Sequence, residues 1–164
     1  MSDQCLATIS QVQALYNDAC VTKYAEMMDA DVGAHSEDLR LFLDGLLPGI
    51  IADGSCGTGH LLEVLAGPDS TSRELLGLDL SPSMVAFATS KVPGASMCHC
   101  DMRDAGFLAE GAAAGIVNCF AIHHVTYEDA KKTFAAGHQA LKRPRETVFA
   151  EFDMNMSFRI YEKQ

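Results

Sequence analysis

Three short apolar runs in this sequence each end in an aspartate, and helical patterns separate them. Ile50-Ile51-Ala52 precedes Asp53, Leu75-Leu76-Gly77-Leu78 precedes Asp79, and Ala95–Cys100 precedes Asp101. Short apolar runs bounded by turn signals read as buried strands, and strands that alternate with helices call for βαβ units. Gly115–Phe120 and Thr147–Phe152 read as a fourth and a fifth strand. The implied fold class is α/β: a doubly wound parallel sheet of about five strands with helices on both faces. In such sheets a ligand sits beyond the carboxyl ends of the strands. Asp53, Asp79, Asp101 and Cys119 all fall at or just past such an end.

The helical stretches carry their own start and stop signals. In the first thirty residues Leu6, Ile9, Val12, Gln13 and Tyr16 begin a stripe that Tyr24, Met27 and Met28 continue. A helix is expected from Ser36 to Leu47, with Leu39, Phe42, Leu43 and Leu46 on one face and Pro48-Gly49 as its stop. Leu61, Leu62, Val64 and Leu65 fall on the next. Ser81-Pro82 opens another, with Ser81 as cap and Met84, Val85 and Ala88 facing inward. Thr126-x-x-Asp129 resembles a capping box before the stripe Ala130, Phe134, Gly137 and Leu141.

Composition prunes the possibilities. The 164 residues, 48% of them apolar, suffice for one domain over 1–164 with its own core. Twelve Lys and Arg against 22 Asp and Glu leave a net charge of -10, which repels nucleic acid and anionic membranes. The start of the chain shows no secretory h-region, and no apolar run is long enough to span a bilayer. A cytoplasmic setting with free, buried thiols is therefore expected. Cys98-His99-Cys100 with His123-His124 suggests a metal cluster at first sight. On a strand, however, His99 points away from the two thiols, so no metal is expected.

Asp53-Gly54-Ser55-Cys56-Gly57-Thr58-Gly59 is a strand-to-helix turn whose glycines permit sharp bending and close approach of a ligand. Asp79, at the tip of the second strand, can accept both hydroxyls of a ribose. A nicotinamide fingerprint would need a third glycine where Leu62 stands. Asp53 would also sit badly beside a pyrophosphate and better beside an ammonium or sulfonium group.

The segment Ile51–His60 resembles motif I of the class I S-adenosylmethionine-dependent methyltransferases. Gly77–Met84 resembles their ribose-binding stretch, Cys100–Asp104 the segment near adenine, and Ile116–His124 the fourth-strand segment. Phe134–Arg143 resembles the helix that leads to the family's next turn. The resemblance implies a Rossmann-like fold, with residues 1–35 as a helical lid and 36–153 as the cofactor-binding core. It implies S-adenosylmethionine as cofactor, S-adenosylhomocysteine as its product, and methyl transfer to an acceptor. Asp53, Gly57 and Gly59 would line the methionine portion, with Ser55 in place of the motif's first glycine. Asp79 would hold the ribose and Leu80 would flank the adenine. Asp101 would accept from the adenine amino group beside Met102, and the Cys119 carbonyl would face the cofactor's amino group. Tyr16 and Tyr24 resemble the tyrosines of the lid.

His123 and His124 follow the fourth strand and are the candidate bases. The turn Asn118-Cys119-Phe120-Ala121 lacks the motifs of base-methylating enzymes, which leaves a small-molecule acceptor. The resembling family continues its sheet with a helix and an antiparallel strand pair, yet only Met154–Gln164 follow the fifth strand here. Most of that pair is expected to be missing. A truncated, non-catalytic module that binds the cofactor or a partner is the competing reading. An exposed fifth strand would also offer an edge for self-pairing into a homodimer.

Overall fold

The computed structural model describes residues 9–32, 43, 46, 48–67, 73–104, 108–119, 121–141, 148–152 and 158–162. The strands are β1 (Ile50–Asp53), β2 (Glu74–Asp79), β3 (Ser96–His99), β4 (Ala113–Cys119), β5 (Val148–Phe152) and β6 (Phe158–Glu162). They form one sheet in the order β3-β2-β1-β4-β5-β6. The first five pair in parallel and β6 pairs antiparallel to β5, with Val148 opposite Glu162. The doubly wound parallel sheet is as the sequence implies, with one strand more. The expectation of an exposed fifth strand is corrected: β6 covers that edge, so self-pairing along β5 loses its basis.

β1 and β4 lie inside the sheet and are buried on both faces, hence their apolar runs Ile50–Ala52 and Ala113–Val117. Alternation sends neighbouring side chains into separate cores. Ile51 and Val117 join Leu62, Leu65, Leu75, Ala88 and Val92 on one face. Ala52 and Ile116 join Ala113, Ala140 and Leu141 on the other. Three helices, α2 (Asp18–Val32), α3 (His60–Leu65) and α4 (Pro82–Lys91), supply the first face, and α5 (Tyr127–Ala140) supplies the second.

Local chemistry sets the boundaries. Asn17 divides the expected N-terminal helical stretch into α1 (Ile9–Leu15) and α2. Its amide donates to the Ala14 carbonyl at 2.7 Å, and its Oδ1 accepts the Ala19 N–H at 2.9 Å. The inner stripe of α2 is Val21, Ala25 and Met28 with Tyr24 half-buried, whereas Met27 is exposed rather than part of the stripe. Ser81 caps α4 by accepting the Met84 N–H, and Pro82 stands in its first turn. Thr126 caps α5 by accepting the Asp129 N–H at 3.1 Å. The expected helix from Ser36 to Leu47 lies outside the described residues apart from Leu43 and Leu46, both of which contact the first core. Among the described residues, no helix is long and apolar enough to cross a membrane.

Candidate functional site

A cavity of about 400 Å³ opens at the carboxyl ends of β1 to β4. The strand order there runs outward from β1 in both directions, which opens a crevice between the loops. The volume lies within the roughly 300–1,000 Å³ of small-molecule pockets. Its floor comes from the loops: Gly54, Ser55 and Gly57 after β1, Asp79 to Ser81 after β2, and Asp101 to Arg103 after β3. Cys119, Ala121, His124, Val125, Thr126 and Asp129 form a second wall. Ile9, Val12, Gln13, Tyr16 and Tyr24 line the cavity from α1, the turn after it and α2.

The glycine turn is shaped by its main chain. The Gly54 N–H donates to the Val117 carbonyl at 2.9 Å and the Cys56 N–H to the Leu78 carbonyl at 2.8 Å, joining the turn to both neighbouring strands. Asp79 anchors it from the next strand. One carboxylate oxygen accepts the Gly57 N–H at 2.8 Å and the other the Ser81 N–H at 2.8 Å. Burial raises the Asp79 pKa, and these two N–H groups act in the opposite direction. Each oxygen retains acceptor capacity toward the cavity.

Of the residues that the sequence placed at the site, the cavity brings together Tyr16, Tyr24, Ser55, Gly57, Asp79, Leu80, Asp101, Met102, Cys119 and His124. Two of the expected residues are placed elsewhere. Asp53 is 1% exposed and lies behind the turn, where it accepts the Ser55 N–H at 3.1 Å. Burial pushes its pKa up to about 7, and it is not among the residues that line the cavity. Gly59 (φ 83°) faces α4, where a Cβ would stand 3.1 Å from that of Ala88, a close approach that glycine permits. His123 belongs to the 3₁₀ turn Ile122–His124, and its side chain lies outside the described residues. The thiols also depart from expectation: Cys56 is buried, but Cys98 is exposed and Cys20, Cys100 and Cys119 are intermediate.

Ser55 ties the turn to the end of β4. Its hydroxyl donates to Asn118 Oδ1 at 2.5 Å and lies 3.2 Å from the Cys119 carbonyl. The Asn118 amide reaches Met102 Sδ at 3.2 Å, which fixes that side chain at the cavity wall. Opposite, the Tyr16 hydroxyl meets His124 Nε2 at 2.9 Å, and Tyr24 packs edge-on to Tyr16. Burial raises the Tyr16 pKa, with Asp79 adding to the effect, and burial lowers that of His124. The pair is therefore a neutral phenol hydrogen-bonded to a neutral imidazole.

Sequence reasoning missed Arg103, Gln13 and Asp129. Arg103 is paired in the cavity wall with both Asp101 and Asp129. Its Nε donates to Asp101 at 2.8 Å, and this pairing holds the Asp101 carboxyl below its usual range. Gln13 donates to the Leu80 carbonyl at 3.2 Å and docks α1 on the β2 loop. The only local signal for Arg103 was its place within Asp101-Met102-Arg103, and nothing near it in sequence pointed to Asp129.

Solved structures share this fold. A proposed S-adenosyl-L-methionine-dependent methyltransferase from Methanococcus maripaludis superposes with a TM-score of 0.72 at 15% identity, over 84% of this chain and 64% of that one. A protein whose structure addresses conversion of a disulfide bond into a thioacetal group during echinomycin biosynthesis matches at 28% identity and a TM-score of 0.57, over 68% of this chain and 46% of that one. A geranyl diphosphate C-methyltransferase from Streptomyces coelicolor A3(2), solved with S-adenosyl-L-homocysteine, matches at 19% identity and a TM-score of 0.56, over 72% and 43%. The chain thus spans under two thirds of the length of each of these three. A comparison with curated proteins finds no significant match. Residues 51–144, more than half of the sequence, match the family model described as a methyltransferase domain. These are the residues that carry the glycine turn, the Asp79 anchor and all of α5, and by that match the chain belongs to the methyltransferase-domain family.

Proposed function

We propose that this chain binds S-adenosylmethionine in the cavity and directs methyl transfer to a small-molecule acceptor, leaving S-adenosylhomocysteine. The observation that carries the reading is the Asp79 carboxylate, held by the Gly57 and Ser81 N–H groups at the cavity floor with acceptor capacity left for a vicinal diol. The donor set fits this cofactor. Leu80 and Met102 offer apolar contact for a purine. Arg103 is paired with two carboxylates, and with Asp79 the cavity wall holds more acid than base. Such a wall suits a sulfonium or ammonium group and disfavours a pyrophosphate.

When bound, the cofactor supplies an electrophilic methyl group on sulfur. The protein's part is to hold an acceptor in line, exclude water and receive a proton where the acceptor must lose one. Ile9, Val12, Ala121 and Val125 give the cavity apolar lining suited to excluding water. His124, kept neutral by burial, is the proposed proton acceptor, with the Tyr16 hydroxyl hydrogen-bonded to its Nε2. A small-molecule acceptor is supported by the net charge of -10 and by the echinomycin protein at 28% identity. Calorimetric titration of the purified chain with S-adenosylhomocysteine, with NAD as control, tests the cofactor assignment. Binding of the first alone is expected; binding of NAD, or of neither by a folded chain, would overturn it.

A further inference from the structure

We propose that Asn118 is a positioning residue that sets two walls of the cavity together, Met102 on one side and Ser55 with Cys119 on the other. β4 runs Ala113-Ala114-Gly115-Ile116-Val117 before Asn118, and all six residues are buried. An amide in so apolar a strand costs free energy unless its polar atoms are hydrogen-bonded, and a leucine of similar size would carry no such cost. Asn118 is 2% exposed and is not among the residues that line the cavity, whereas Ser55, Met102 and Cys119 all are. The amide therefore acts on a bound molecule through those three.

The chemistry of its partners fixes which way the amide points. A thioether sulfur accepts and cannot donate, so Nδ2 faces Met102 Sδ at 3.2 Å and Oδ1 faces the Ser55 hydroxyl at 2.5 Å. Ser55 directs its proton to Asn118, the nearer of its two acceptors, and its oxygen accepts the Cys119 N–H at 3.4 Å. The bonds thus run one way, from the Cys119 N–H through Ser55 and Asn118 to Met102. Hydrogen bonds in series polarise one another, so loosening one end weakens the other. Methionine has three rotatable side-chain bonds, and an anchor at the sulfur narrows them.

The two ends of this chain of bonds stand in the loops after β1 and β3, 63 and 16 residues from Asn118. With S-adenosylmethionine as the ligand, which rests on the function proposed above, Asn118 keeps the purine contact of Met102 in register with the glycine turn. Loss of the amide should then weaken binding while the sheet stays folded.

The test labels the methionine methyl groups of the full-length chain with carbon-13 and records their NMR shifts, which report side-chain rotamers. Met102→Leu identifies the Met102 signal. In the unliganded protein that signal should move toward the averaged position of a free methionine in Asn118→Leu, and in the same direction in Ser55→Ala. Calorimetry with S-adenosylhomocysteine should show affinity lower by about tenfold in Asn118→Leu. Ser55→Ala should cost little more when added to Asn118→Leu, because both remove one network. An unmoved Met102 signal in folded Asn118→Leu, or two substitutions whose costs multiply in full, overturns the proposal. If Asn118→Leu does not fold, the Met102 signal in Ser55→Ala decides, since that variant breaks the same bond from its other side. The methyl signal does not depend on the cofactor. Absence of binding by the unaltered chain would therefore count against the cofactor reading, and the signal would still decide the role of Asn118.

Discussion

Two rims of the cavity are built from different bonds. Along β1 and β2 the holding groups are main-chain: the Gly54 and Cys56 N–H groups reach neighbouring strands, and the Gly57 and Ser81 N–H groups converge on Asp79. Across the cavity the contacts run between side chains on separate elements, with Tyr16 on His124 and Arg103 on Asp129. A main-chain frame is ordered with the sheet itself and tolerates little change. Side-chain pairs cost rotamer entropy and can be removed singly with the frame intact.

If that contrast holds, the largest effect belongs to Asp79. Asp79→Ala removes the acceptor for two N–H groups together with the proposed ribose contacts. S-adenosylhomocysteine affinity should fall by about 3–5 kcal/mol, at hydrogen bonds to a charge worth about 1.5–3 kcal/mol each. Stability should fall too, because the turn loses its anchor. Calorimetry and thermal denaturation together read both, and unchanged affinity would refute the ribose assignment.

Asp53 sharpens the comparison through pH. Its folded pKa of about 7 stands above its ordinary value, so the native state binds the proton more tightly than the unfolded chain does. That contribution is complete below the ordinary carboxylate range and is lost as pH rises toward 7. The loss should be on the order of a few kcal/mol. Denaturant unfolding across this range should show it, and Asp53→Asn should flatten the profile.

Gly59→Ala probes the frame without touching a charge. A Cβ at φ 83° and 3.1 Å from Ala88 Cβ should cost about 1–3 kcal/mol of stability, read by denaturant midpoint. On the opposite rim, Tyr16→Phe should cost only about 0.5–1.5 kcal/mol. Hydrogen exchange should rise in α1 and stay unchanged in β1. Equal effects of these two variants on β1 exchange would erase the distinction between the rims.

The frame was legible because its signals are local. Apolar runs closed by Asp53 and Asp79 placed the strands, Ser81-Pro82 and Thr126-x-x-Asp129 placed two helix starts, and the glycines marked the turn. The opposite rim was not legible in that way. Tyr16 and His124 stand 108 residues apart, Ser55 and Asn118 are 63 apart, and Arg103 and Asp129 are 26 apart. No periodicity links such pairs. Asp53 shows the same boundary from within the frame, since its place after β1 was evident but not which side of the turn its carboxylate would take.

The amino-acid sequence by itself thus determined the alternation of strands and helices, the carboxyl edge as the place for a site, and the acids that gather there. Those features follow from side-chain periodicity and from residues that shape their own backbone. Only the tertiary structure decided that β6 closes the sheet beyond β5, that Asp53 turns inward while Asp79 faces the cavity, and that Arg103 is held between two carboxylates. Burial and the partners of a charged group depend on which distant segments pack around it, and those segments come together only when the whole sheet is assembled.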